Sequence, residues 1–70
     1  MTIGQRASKA INERAKQNGT WVYQECAILG VSRKTKCDWK RRGLNPSTQF
    51  LQRFALEGYD VHYILTGVKK

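Results

Sequence analysis

The sequence predicts an all-α fold, a compact bundle of five short helices. Three observations favour this fold class. Apolar residues recur at the three- and four-residue spacing of a helix face, glycines and capping residues divide the chain into short segments, and no segment has the pattern of a strand. With 70 residues, of which 40% are hydrophobic, the chain is long enough for one small domain with its own core.

The first helix is predicted to begin at Ile3 and to end at Asn18-Gly19. Thr2 and Gln5 have the spacing of a capping box, and Gly19 accepts the left-handed conformation in which many helices end. Its apolar face is formed by Ile3, Ala7, Ala10 and Ile11.

The second and third helices are predicted to be joined by a short turn. Thr20 is the expected cap of a helix over residues 21–29, which Gly30 ends, and Ser32 is the expected cap of a helix from Arg33 to about Arg42. Two helices that meet at a steep angle through a short glycine turn form a helix-turn-helix.

The fourth and fifth helices follow from two further capping signals. Asn45 is the expected cap of the fourth helix, with Pro46 at its first position, where no amide donor is needed. Asp60 can cap a short last helix that Gly67 closes. The residues assigned to the core are Leu29, Val31, Trp39, Phe50, Leu51 and Phe54.

The charge of the chain favours a polyanionic partner, with nucleic acid first and an anionic membrane surface second. Thirteen Lys and Arg stand against five Asp and Glu, a net charge of +8. Six of these bases lie within Arg33–Arg42. A basic run is often only a solvated helix face, but here it follows the glycine turn, which can hold a helix in the major groove of DNA.

Other classes of function find little support in the composition. Cys26, Cys37 and His62 lack the paired spacing of metal ligands, so we expect no metal, no cofactor and two free thiols. No acid pair or nucleophile–base set indicates an enzyme. No apolar run reaches the roughly 20 residues of a membrane span, and no export signal opens the chain, so the expected location is the cytoplasm.

Three motifs together resemble the lambda-repressor/Cro-like helix-turn-helix family of bacterial and phage regulators. The first runs from Gly30 to Thr35 and continues with Trp39, Arg41 and Gly43. The second is Asn45-Pro46-Ser47. The third is the C-terminal segment Asp60-Val61-His62-Tyr63-Ile64-Leu65-Thr66-Gly67. The resemblance implies one DNA-binding domain over residues 1–67 with a basic tail at 68–70, as in a single-domain Cro-type regulator of a bacterial host cell, with no added C-terminal domain.

The resemblance implies a set of contacts to double-stranded DNA. Base edges would be read by Ser32, Arg33, Lys34, Cys37 and Asp38, and phosphates would be bound by Thr20, Trp21, Lys40, Arg41, Arg42, Asn45 and Ser47, with Thr48 as a further candidate.

Several of these residues have a simpler explanation. Asp38 can pair within the helix with Lys34 or Arg42, and Cys37 can be no more than a small exposed residue. The bases at the end of the third helix also interact favourably with its dipole. Trp21 fits an exposed platform and a partly buried position equally well.

The chain departs from the family pattern at Glu25 and Lys36, where apolar residues are expected. We hypothesise that they form a partly buried ion pair; alternatively, both side chains extend to solvent. Val22 stands where the family often has a phosphate-binding Gln.

A domain this small is expected to bind a palindromic site as a homodimer. The candidate contact residues are Val61, Tyr63, Ile64 and Leu65. The alternative function is a protein-interaction module of the same fold, such as an antitoxin-like binder or an inhibitor of a host factor.

Overall fold

A computed structural model describes residues 1–68, and they form five α-helices without any strand. The all-α prediction is therefore confirmed. Lys69 and Lys70 of the predicted basic tail lie outside the described residues. The helices are α1 (Ile3–Asn18), α2 (Val22–Leu29), α3 (Arg33–Arg41), α4 (Thr48–Leu56) and α5 (Val61–Thr66).

Helix α1 packs against α2, α3 and α5 and is the central element of the fold. Its predicted capping box is present: the Thr2 amide donates to Gln5 Oε1 over 2.9 Å, and the Gln5 amide donates to Thr2 Oγ1 over 3.2 Å. Gly19 ends the helix at a φ of 66°, which a residue with a Cβ adopts only at a cost.

Two predicted helix starts are wrong, one by one residue and the other by two. Helix α2 begins at Val22 with Trp21 as its cap, because the Thr20 hydroxyl donates to Glu25 instead. Helix α4 begins at Thr48 with Ser47 as its cap. The segment before it, through the buried Pro46, has no regular secondary structure, and Ser47 itself is extended, with φ −71° and ψ 166°.

The core is built around aromatic rings that meet edge to face. Trp39 meets the edge of Phe50 at 5.3 Å between centroids, and Phe54 meets Tyr59 edge-on at 4.9 Å. Such edge-to-face pairs contribute beyond their buried area. Of the six predicted core residues, Leu29, Val31, Trp39 and Phe54 are buried, while Phe50 and Leu51 pack against them half-buried.

The two ends of the described chain are tied together by one arginine. The Arg6 guanidinium donates from Nε to the Ile64 carbonyl over 2.8 Å and from Nη2 to the Leu65 carbonyl over 3.0 Å. A third bond runs from Nη1 to the Met1 carbonyl. Arg6 thus satisfies carbonyls in α5 that have no partner within the helix and holds α5 on α1.

A buried polar cluster lies where α2 meets the turn before α5. Glu25 is only 5% exposed, and its Oε2 accepts a hydrogen bond of 2.9 Å from the Thr20 hydroxyl. The Tyr59 hydroxyl is buried without a well-formed hydrogen bond, and the Arg14 guanidinium lies 4.1 Å from the Tyr59 ring centroid. Burial, followed by the nearby negative charge of Glu25, raises the pKa of Tyr59 to about 12.

Gly4 has no room for a side chain, because a Cβ there would overlap the Leu44 carbonyl and crowd Trp39. Replacing Gly4 with Ala should therefore lower the free energy of unfolding by about 1–3 kcal/mol, although Ala is the better helix former by about 1 kcal/mol. Urea denaturation measures this change. Asn12→Ala, at an exposed position of α1, is the control and should be neutral or stabilising; equal stability of the two variants would contradict the close packing at Gly4.

Stability should fall at high pH through Tyr59. Its pKa rises on folding from 10.0 to about 12, so its contribution is complete below pH 10 and is lost as the pH rises towards 12, by at most about 3 kcal/mol. Denaturation curves between pH 9 and pH 12 measure the loss, with Tyr59→Phe as the control. An equal fall in both proteins would show that Tyr59 is not its source.

Candidate nucleic-acid interface

The start of α3 is fixed by a tight turn and a serine cap. Gly30 ends α2 at a φ of 72°, and the Val31 amide donates to the Cys26 carbonyl over 2.9 Å. Ser32 Oγ then accepts the Thr35 amide over 3.1 Å, as predicted for the cap. Because the buried Val31 and Trp39 anchor this segment, the remaining side chains of α3 are left at or near the surface.

Most predicted DNA contacts are exposed side chains. Ten of the twelve predicted base- and phosphate-contacting residues are exposed, and only Cys37 and Asp38 are half-buried. Trp21 is 70% exposed, so of its two possible positions it takes that of an exposed platform. The exposed residues are Thr20, Trp21, Ser32, Arg33, Lys34, Lys40, Arg41, Arg42, Asn45 and Ser47.

One open cavity of about 250 Å³ brings four of these residues together beside the start of α2. Two of them, Arg33 and Cys37, are predicted base contacts, and two, Lys40 and Arg41, are predicted phosphate contacts. Lys36 and Val22 complete the lining, and none of the described lining residues is acidic. Asn45 and Ser47 do not line this cavity; they precede α4, where the Ser47 side chain makes no capping bond.

Asp38 is not held by a basic neighbour on its own helix. Within residues 1–68 the ion pair shorter than 4.0 Å is Lys9–Glu13, at 3.9 Å, so Asp38 pairs with neither Lys34 nor Arg42. The simpler explanation of Asp38 as an intrahelical partner is therefore wrong for this structure, and its half-buried carboxylate lies on the same helix as the basic residues.

Thr20 has no hydrogen-bond donor left for a phosphate. Its hydroxyl donates to Glu25 Oε2 over 2.9 Å, and its amide donates to the Ala15 carbonyl over 2.9 Å. A threonine has only these two donors. The predicted contact between Thr20 and phosphate is therefore not supported, and the residue instead links α1 to the buried carboxylate of α2.

The hypothesis of a Glu25–Lys36 ion pair is also wrong. Lys36 Nζ donates to Ser8 Oγ of α1 over 3.0 Å, whereas the Glu25 carboxylate accepts from Thr20. Nor do both side chains extend freely to solvent, since Glu25 is buried and Lys36 is half-buried. Burial is the main cause that lowers the pKa of Lys36.

Lys36 is a candidate site residue that the sequence prediction missed, because it was assigned only to the ion pair. It lines the basic cavity with Arg33 and Arg41. The signal was present in the sequence as a cation at a position where the repressor-like pattern has an apolar residue.

The predicted dimer residues differ in exposure. Ile64 is fully buried in the core and has no surface to offer a second chain, so it leaves the candidate set. Val61 and Tyr63 are half-buried, and Leu65 is 41% exposed.

Three findings concern other kinds of site. Among the described residues, no three His, Cys, Asp or Glu side chains lie close enough together to hold a metal ion. In the same part of the chain, no helix combines the length and the apolar character that a membrane crossing requires. Cys26 and Cys37 are both free thiols.

No protein-family model matches the chain, and neither a curated protein nor a solved structure matches it. Its classification therefore rests on its own residues: residues 1–68 form a small all-α globule of five helices, 27 × 26 × 19 Å across.

Proposed function

We propose that the chain is a sequence-specific regulator of transcription that binds double-stranded DNA, of the Cro or repressor kind. The observation that carries this proposal is the exposed basic surface of α3 beside the start of α2, where Arg33, Lys40 and Arg41 line one cavity. In the proposed complex, α2 and α3 act as a helix-turn-helix with α3 in the major groove, as the resemblance to lambda-repressor/Cro-like proteins implies.

The first half of α3 is assigned to the reading of bases. Arg33 and Lys34 are exposed, and their donors match the O6 and N7 acceptors of guanine. The Asp38 carboxylate can accept from the amino group of a cytosine, and Cys37 offers a small apolar contact to a thymine methyl group. Ser32 already bonds to Thr35 on the protein, so it contributes through its remaining acceptor capacity.

The end of α3 and two neighbouring segments are assigned to the phosphates. Lys40, Arg41 and Arg42 are exposed cations in or next to the last turn of α3. The indole of Trp21, together with Asn45 and Ser47, adds neutral donors, which position a protein on DNA without reading its sequence.

Two copies of the chain are assigned to each DNA site. A single small module covers only about 600–1,000 Å² at a DNA interface. Helix-turn-helix proteins usually enlarge this interface by binding palindromic sites as two-fold dimers. Val61 and Leu65 lie one helical turn apart on α5 and, with Tyr63, are the proposed contact between the two copies.

Binding to DNA should weaken steeply with salt, and the slope should depend on α3. Each lost phosphate contact lowers the slope of log affinity against log salt by about 0.9. Lys40→Ala, Arg41→Ala and Arg42→Ala should therefore reduce the slope in fluorescence anisotropy titrations with a random-sequence duplex, by about this amount for each residue that contacts a phosphate.

Lys16→Ala is the matched control, because it removes one exposed cation of α1 and should leave the slope unchanged. An equal loss in this control would mean that α3 is not the binding surface. A chain that does not bind DNA at all would contradict the proposal and would favour the alternative, a protein-interaction module.

A further inference from the structure

A second cavity, of about 460 Å³, opens between the exposed side of α2 and the start of α3. We refer to it as the α2–α3 cavity. Its volume lies within the range of about 300–1,000 Å³ that is typical of small-molecule sites, and its walls are mainly aliphatic and aromatic. The residues that form these walls are Val22, Tyr23, Cys26, Ala27 and Val31.

The charged residues that line the α2–α3 cavity are two cations, Arg33 and Lys36. No acidic side chain lies among its described lining residues. The same two cations, together with Val22, also line the smaller basic cavity, so they stand between an apolar space and the basic surface of α3.

Lys36 lacks a negatively charged partner. Its ammonium group donates to Ser8 Oγ over 3.0 Å, but an ammonium has three donors, and no carboxylate of residues 1–68 pairs with it. A half-buried cation without a counter-ion is costly, which is consistent with the lowered pKa of Lys36. A bound anion at this position would remove that cost.

We propose that the α2–α3 cavity binds a small organic acid with an apolar body and one carboxylate. The apolar body packs between Val22, Ala27 and Val31, and the carboxylate pairs with Lys36 and Arg33. This ligand class follows from the combination of apolar walls with two cations among the lining residues of the same cavity.

Such a ligand would regulate DNA binding, because Arg33 would bind both the carboxylate of the ligand and a base of the DNA. This consequence rests on the proposed function, whereas binding of the acid does not. If a carboxylate engages Arg33, fewer donors of that side chain are free for a guanine, so ligand and DNA each weaken the binding of the other by the same factor.

Octanoate is the probe, used below the concentration at which it forms micelles. Octanol has the same apolar body without the charge, and acetate has the charge without the body. Titrations followed by amide chemical shifts should show saturable binding of octanoate, with shifts at Val22, Ala27 and Val31, and binding at least tenfold weaker for the other two probes. Equal binding of octanol, or shifts spread evenly over the chain, would overturn the proposal.

Two variants locate the site. Lys36→Met keeps the apolar stem and removes the charge, and Ala27→Trp fills the cavity while both cations remain. Each should weaken octanoate binding at least tenfold, while Lys16→Met should not. Thermal melts followed by circular dichroism establish that each variant is folded. Full octanoate binding by folded Lys36→Met and Ala27→Trp would exclude the cavity.

The regulatory consequence is tested in the same titration with a DNA duplex present. Octanoate should weaken DNA binding by the wild-type chain, and the effect should be at least tenfold smaller in Lys36→Met. Octanoate binding with unchanged DNA affinity would contradict the shared use of Arg33 but not the ligand site. Octanoate binding by a chain that does not bind DNA would contradict the proposed function alone.

Discussion

Trp39 fixes the position of the helix on which the functional account depends. It is the only described residue of α3 that is buried, and it packs against Phe50 and Phe54 of α4. Gly4 brings α1 so close to Trp39 that a Cβ at residue 4 would crowd the Trp39 side chain. The basic residues of α3 are therefore carried by a helix that is held mainly through one large side chain and the neighbours that enclose it.

Two charged side chains, Glu25 and Lys36, lie partly or fully inside the domain, where apolar residues are expected. Glu25 and Lys36 occupy positions at which the repressor-like pattern has apolar residues, yet each finds its own partner, Thr20 for Glu25 and Ser8 for Lys36. Both bonds join α1 or the turn after it to the α2–α3 segment. The two bonds have different consequences. Both donors of Thr20 are used within the protein, while Lys36 keeps an unpaired charge beside two cavities.

Much of the fold could be predicted because its signals are local. The capping box of α1, the left-handed glycines after α1 and α2, and the caps Ser32 and Asp60 act within a few residues, so spacing alone identifies them. Exposure of most α3 side chains followed in the same way, from the helical spacing of Trp39.

The errors arose where a hydrogen bond or packing contact, in two of three cases with a distant part of the chain, overrides the local signal. Thr20 was expected to cap α2, but the buried carboxylate of Glu25 takes its hydroxyl. Lys36 reaches Ser8, which lies 28 residues away in the sequence, and Ile64 is drawn into the core although it lies among candidate surface residues. No local pattern contains the surroundings of Lys36 and Ile64, because they depend on how α1 packs against the other helices.

If α3 reads base edges, the chain prefers some DNA sequences to others, and selection of bound duplexes from random DNA measures that preference. The wild-type chain should enrich two half-sites related by two-fold symmetry, with centres about 10 base pairs apart or a multiple of that. Arg33→Ala should lose the preference for guanine at one position of each half-site. Enrichment of no sequence, or of the same sequence by both proteins, would contradict the reading of bases by α3.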